Sequence, residues 1–362
     1  MYRSFRARNF RCFADLQVSN LARINLFAGL NNVGKTALLE ALFIHSSAQD
    51  PRAALEVDVF RGMSGGEESS SVRTREPWTS LFAGSKTGTP VELTGELSTG
   101  KTRTLRLRPV DDPEELAKPA QMLPGEFARP AGSGPPPAVL AADLEDDGER
   151  LGTSYLGVTK FGNGLWSVGL RLPEQPPTIF LVARKRPEPS EDAERYGKME
   201  VNGQQDMVRD ALKVIEPRLQ RLAAVPLAGA VVIHGDIGLG RLVPLPLMGD
   251  GMVRLLSFIV GIGNAPKGVA LVDEIENGLH HSVLPNVWRV VAEAARQFDV
   301  QVFATTHSIE CIEAATRAFE ADLGFEDDFR LHRLERVNGT IVAQTGNREA
   351  VRAALEMGLE VR

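Results

Sequence analysis

Cysteine is nearly absent from this chain: Cys12 and Cys311 are the two among 362 residues. That excludes a disulfide framework, and with no CxxC or Cys/His cluster nothing marks a zinc site. Both read as reduced thiols in or near the core. Membrane-length apolar runs are missing as well; the nearest, residues 255–262, stops at Gly263-Asn264. The arginine-rich start, MYRSFRARNF, has no apolar stretch of the kind that directs secretion. A soluble, cytoplasmic protein without membrane contact is expected. A basic excess is also lacking: 41 Lys and Arg stand against 47 Asp and Glu, a net charge of −6. Any nucleic-acid surface must therefore be a local basic patch. Internal repeats are absent too.

What is present is ordinary globular material, 43% hydrophobic and 24% charged, long enough for one large α/β domain or two smaller ones. One stretch stands out. Gly29-Leu-Asn31-Asn32-Val33-Gly34-Lys35-Thr36 fits the phosphate-binding pattern GxxxxGK[ST]. The apolar run 24–28 before it predicts a buried strand, and 37–44 after it a helix. Gly29 and Gly34 let the backbone curl so that successive N–H groups face phosphates, aided by the positive end of the helix. Lys35 can reach the β- and γ-phosphates, and the Thr36 hydroxyl can ligate Mg²⁺. ATP and Mg²⁺ are the expected cofactors.

Taken in order, residues 2–10 alternate as a strand, with 16–18 able to pair before the loop strand. Residues 90–97 and 103–107 predict a hairpin, and 155–159 with 165–170 a second. Between them, 109–148 is rich in Pro, Gly and acid, and reads as an insertion with little structure of its own. A short apolar strand, 178–183, precedes Arg184-Lys185-Arg186, the best local basic run, with Arg3, Arg6 and Arg8 second. A helix is expected over 204–224, broken near Pro217, then a hairpin of 231–234 with 241–245. The last third alternates strands and helices, which implies a parallel sheet. A hairpin across Asn338-Gly339 and a helix over 348–360 finish the chain.

Three further signals decide the chemistry. Residues 268–274, GVALVDE, are an apolar strand ending in two acids, which puts Asp273 at the carboxyl edge of the sheet where ligands bind. Asp273 can hold Mg²⁺ through water, and Glu274 can orient or deprotonate the attacking water. Residues 302–308, VFATTHS, repeat the pattern with His307 placed to donate a hydrogen bond to the γ-phosphate. Lastly, Gly249-Asp250-Gly251 opens an amphipathic helix whose N–H groups point outward at its positive end. With one phosphate loop already present, that end suits the γ-phosphate held by a second copy; a simple N-cap by Asp250 is the plainer alternative.

These motifs, with Asn9-Phe10-Arg11-Cys12-Phe13, Met248 to Met252, Asp273 to His280 and Thr305-Thr306-His307, resemble an ABC/SMC-type ATPase of the overcoming-lysogenization-defect (OLD)-like, AAA-type bacterial branch. The resemblance implies an α/β P-loop NTPase fold of the ABC ATPase type: a mixed central sheet, an antiparallel β subdomain and a helical subdomain. A single domain, 1–362, would hold a β-rich part over 49–183, a helical and signature part over 204–265, and a Walker B and switch-histidine part over 266–362. It makes Asp273 and Glu274 the Walker B pair, His307 the switch histidine, and residues 277–280 a loop that contacts the opposite subunit. It brings Asn9 and Arg11 near the adenosine. It also implies an ATP-dependent head-to-tail homodimer, whose hydrolysis gates DNA, RNA or a separately encoded nuclease or toxin effector, in DNA metabolism or antiviral defence.

Several residues depart from the pattern. Gly249 stands where the signature usually has serine, so a γ-phosphate contact there must come from backbone N–H. Met252 replaces glutamine, and no Q-loop glutamine is evident. The 55 residues after His307 are too few for the TOPRIM nuclease domain of OLD nucleases. The rival readings are a transporter's nucleotide-binding subunit, which usually has proline where this chain has Ile275, a GTPase, for which no NKxD motif exists, and a slowly hydrolysing ATP-switched interaction module.

Overall fold

The computed structural model describes residues 1–62, 77–122, 138–158, 165–170, 176–183, 189–227, 229–321 and 327–346. The chain opens with an antiparallel pair, β1 (Tyr2–Phe10) and β2 (Phe13–Val18). Next come the wholly buried strand β3 (Ile24–Ala28) and helix α1 (Lys35–Ser46). Helix α2 (Ala53–Phe60) follows, then strands β4 (Val91–Leu97) and β5 (Thr102–Pro109) and helix α3 (Pro113–Met122). Strands β6 (Val139–Asp146), β7 (Glu149–Val158) and β8 (Leu165–Val168) complete a seven-stranded antiparallel sheet in the order β2-β1-β4-β5-β6-β7-β8.

The expected structureless insertion is corrected in part. Residues 113–122 are helical, and 139–146 form an inner strand with partners on both sides, β5 and β7. The apolar half of VLAADLED goes inward, and two ladders of backbone bonds outweigh its acidic composition. Residues 123–137 lie outside the described residues.

The second sheet carries the chemistry. It contains β9 (Thr178–Leu181), and after helices α4 (Pro189–Val201), α5 (Gln205–Leu212) and α6 (Asp250–Gly263) it gains β13 (Val269–Val272). Between α5 and α6 a small separate sheet is built from β10 (Arg221–Leu227), β11 (Ala230–Asp236) and β12 (Val243–Pro244). Here the structure departs from the expected helix over 204–224. Helix α5 ends at Leu212, and residues 221–227 pair along their whole length with β11. Pro226 is tolerated because β10 is an edge strand.

Helix α7 (Leu284–Gln297), strand β14 (Gln301–Thr305), helix α8 (Ile309–Ala321) and strands β15 (Phe329–Val337) and β16 (Thr340–Gly346) complete the fold. The sheet order is β16-β15-β3-β14-β13-β9; every neighbouring pair but β15–β16 is parallel. Strands buried on both faces explain why INLFA, VALV and QVFAT read as unbroken apolar runs. Helix α1 is buried around most of its circumference, because it packs between β1 and β4 of one sheet and β13 and β14 of the other. Helices α6, α7 and α8 contribute to the hydrophobic core that includes Ile24, Leu26, Val272 and Ala304 of the parallel sheet.

Cross-strand ion pairs line the antiparallel sheet. Arg6 pairs with Asp15, Arg8 with Asp15 and Glu92, Arg106 with Glu92 and Glu145, and Arg108 with Asp143. Arg6 and Arg8, expected as a secondary basic patch, are thus already partnered by acids. The residues 184–186 and the helix expected over 348–360 lie outside the described residues.

Candidate functional site

Register decides where the polar groups meet. Phe27 of β3 is level with Thr305 of β14, and Ala304 with Val272 of β13. The phosphate loop, Asp273 and Thr306 therefore leave the sheet at one edge, the carboxyl edge at which open α/β sheets bind ligands.

In the loop, Gly34 has a left-handed backbone, φ 88°, and a Cβ there would stand 2.7 Å from Cys12 Sγ and from the Phe13 ring. The β1–β2 turn thus closes against the loop, and only glycine fits. Gly29 meets the Leu334 carbonyl, which a Cβ would approach to 2.5 Å. Val33 is buried, whereas Asn31 and Asn32 are exposed. Among the described residues no side chain caps the start of α1, so its first N–H groups remain for an anion. Lys35 Nζ donates to the carbonyl oxygens of Gly29, over 2.6 Å, and Leu30, over 3.0 Å. Burial lowers its pKa, opposed by the charges of Glu274, Asp273 and Glu276.

Thr36 Oγ1 donates to the Asp273 carboxylate, 3.1 Å from Oδ1 and 3.2 Å from Oδ2. Thr305 donates to the same Oδ1 and accepts the Glu274 N–H over 2.8 Å. Burial raises the pKa of Asp273, while these two hydroxyls hold it back. A buried carboxylate beside a threonine hydroxyl is a pair of hard oxygen donors suited to Mg²⁺, which takes few protein ligands and completes its shell with water and phosphate oxygens. Such a site does not require a cluster of acids, and among the described residues no group of three or more metal-ligating side chains is found.

Glu274 has a left-handed backbone, φ 48°, and its side chain is 38% exposed. Asn277 Nδ2 donates to its Oε2 over 2.7 Å, which orients the carboxylate and leaves Oε1 for another group. His307 is half-exposed, with Nδ1 3.8 Å from Glu274 Oε1 and 3.3 Å from Glu276 Oε1.

The expected signature segment sits beside this edge. Gly249 and Asp250 are exposed at the start of α6, and a Cβ on Gly251 would lie 3.0 Å from the Gly278 carbonyl. One turn on, Arg254 is buried, stacks over the Phe258 ring, and donates to the Asp273 carbonyl over 2.8 Å. Burial lowers its pKa against the pull of Asp273, Glu274 and Glu276. Arg11 and Asn9 have protein partners of their own. The Arg11 guanidinium pairs with Glu40 and Asp58, and Asn9 Nδ2 donates to the Thr89 and Pro90 carbonyls.

Four residues carry more of the site than sequence reasoning assigned them. Thr305 and Glu276 share motifs with the expected residues, Asn277 acts on Glu274 of its own chain, and Arg254 reaches the Asp273 carbonyl from α6.

Known proteins resemble this chain in sequence and fold. The family described as "AAA domain, putative AbiEii toxin, Type IV TA system" matches residues 24–313. An "ATP/GTP phosphatase" of Helicobacter pylori is 23% identical over 346 residues, 86% of this chain and 87% of that protein. A crystal structure of an Smc head bound to the C-winged helix domain of ScpA superposes with a TM-score of 0.51 at 11% identity, covering 98% of this chain and 99% of that one. The fold is accordingly that of a P-loop ATPase of the ABC and SMC type, and among the described residues no helix is long and apolar enough to cross a membrane.

Proposed function

The chain belongs to this AAA-domain family, and we propose that it binds ATP with Mg²⁺ and hydrolyses it to ADP and phosphate between two head-to-tail copies. The observation that carries the reading is the bridge from Thr36 to Asp273, which joins the phosphate loop to the strand end bearing Glu274. Lys35 exchanges the Gly29 and Leu30 carbonyls for phosphate oxygens. Thr36 and Asp273 hold Mg²⁺, whose charge offsets that of the β- and γ-phosphates. Glu274 takes a proton from water as the water oxygen bonds to the γ-phosphorus, and the bridging oxygen leaves with ADP. His307 donates to a γ-phosphate oxygen. The N–H groups from Gly249 to Gly251 face the γ-phosphate of the other copy, while Asn9 and Arg11 lie toward the adenosine.

Hydrolysis would gate an interaction with DNA, RNA or a separately encoded nuclease or toxin, in an OLD-like role in DNA metabolism or antiviral defence in the cytoplasm. The resemblance supports this, and an Smc head that holds a ScpA domain offers a parallel for a protein partner. The testing variant is Glu274→Gln. It keeps size and hydrogen bonding but loses the base, so ATP binding should persist, turnover should fall at least ~10²-fold, and an ATP-held dimer should accumulate. Turnover near the parent rate would remove Glu274 from its role.

A further inference from the structure

Glu276 has no part in the chemistry above, yet it is more tightly engaged than Glu274. Its side chain is 11% exposed. Its Oε1 accepts from Thr306 Oγ1 over 2.8 Å and from the His307 N–H over 3.1 Å, and it stands 3.3 Å from His307 Nδ1. Both donors leave the end of β14, while Glu276 leaves the end of β13. The carboxylate therefore ties the histidine segment to the strand that carries the base. Its Oε2 is buried with no hydrogen-bond partner among the described residues. An unpaired buried polar oxygen is costly, a penalty that the Thr306 contact alone would not require.

Two carboxylates thus stand near one ring nitrogen. Glu276 lies 3.3 Å from His307 Nδ1 and Glu274 lies 3.8 Å away. In a neutral imidazole, the partner of one nitrogen decides which carries the proton. We propose that Glu276 is a positioning residue that claims the Nδ1–H of His307, turning Nε2 toward the nucleotide and leaving Glu274 free to take the proton of water. This rests on the hydrolytic reading above, but the arrangement exists before nucleotide arrives. In that tautomer a neutral imidazole offers Nε2 as acceptor, and an imidazolium offers both nitrogens as donors.

The test reads the tautomer directly, on nucleotide-free full-length protein labelled with ¹⁵N-histidine, at about pH 9 where imidazoles are neutral. His307→Gln identifies the signal among the six histidines. The parent should show the proton on Nδ1. Glu276→Gln keeps a carbonyl oxygen for Thr306 and the His307 N–H but loses the charge. The ratio of Nδ1–H to Nε2–H should fall about fivefold, the change expected when a charge-assisted bond becomes neutral. Turnover should fall ~10-fold with KM for ATP unchanged. Thr306→Val removes one donor without touching the ring, so it should leave the tautomer in place; a mere loop clamp would make the two variants alike. The proposal fails if parent His307 carries its proton on Nε2, which needs no variant to fold, or if Glu276→Gln leaves the ratio unchanged. Failure of the hydrolytic reading would show instead as unimpaired turnover in Glu274→Gln.

Discussion

Thr305 donates its hydroxyl to Asp273 Oδ1 over 2.6 Å, and through the same oxygen receives the backbone N–H of Glu274. One hydroxyl on β14 therefore fixes both the expected metal-holding acid and the backbone of the expected base on β13.

Thr305→Val replaces that hydroxyl by a methyl of similar shape. Two buried polar groups lose their partner, so unfolding stability should drop by about 1–3 kcal/mol. Turnover should fall ~10-fold or more, while ATP affinity changes less, since the phosphate loop is untouched. Chemical denaturation and steady-state kinetics check the two halves separately. Unchanged turnover would show that the Thr305 bond does not set the carboxylates.

Lys35→Ala removes the cation that the Gly29 and Leu30 carbonyls now hold. ATP affinity should weaken by roughly an order of magnitude or more. Calorimetric titration with ATP and Mg²⁺ decides the matter, and an unaltered Kd would sink the assignment of the phosphate loop.

A site completed by a second copy makes turnover depend on concentration. Specific activity should rise with protein concentration and then level off. Asp250→Arg, at the exposed start of α6, should prevent the dimer while leaving nucleotide binding by the monomer intact. Sedimentation with and without ATP separates a constitutive oligomer from a site complete in one chain, the two readings of a flat dilution series.

Asp192, on α4, is buried and accepts a hydrogen bond from Ser257 of α6 over 2.5 Å. Burial pushes its pKa from 3.8 up to about 6, with Ser257 and Arg195 opposing. The folded state thus binds this proton more tightly than the unfolded chain, so the group's contribution to stability falls as pH rises from about 4 to about 6. His45, lowered to about 4 by burial, and His332, lowered to about 3, slope the other way. The informative quantity is therefore the difference between the parent and Asp192→Asn, measured by urea unfolding across that range. Parent stability should decline relative to the variant by about 2 kcal/mol. A flat difference would mean that Asp192 does not titrate there.

Much of this was legible in the order of residues. Three apolar runs each end in a polar motif, and parallel strands put such endings at one edge; Lys35, Thr36, Asp273 and His307 needed no more than that. Glu276 was not legible, because its partners Thr306 and His307 come thirty residues later and only the register of β13 against β14 brings them together. Arg254 was hidden for a related reason: its position on α6 says nothing of the Asp273 carbonyl it meets. Strand β6 was misread because acid-rich composition argues for solvent, while its two neighbours could not be foreseen locally. The turn between β1 and β2 closes against the phosphate loop at Cys12 and Phe13. The Arg11 charge, however, is held by Glu40 of α1, a partner that composition cannot name.

The central sheet has a bearing on synthesis. Strand β3 lies between β14 and β15, whose residues begin at Gln301 and Phe329. A nascent chain therefore carries its phosphate loop through most of translation with the apolar strand before it unpaired. Contacts this distant in sequence form slowly and leave strand edges open to aggregation. Splitting the gene between α5 and α6 would leave each fragment with exposed β-edges and neither with the whole candidate site. Co-expressed halves should recover that site only by finding each other.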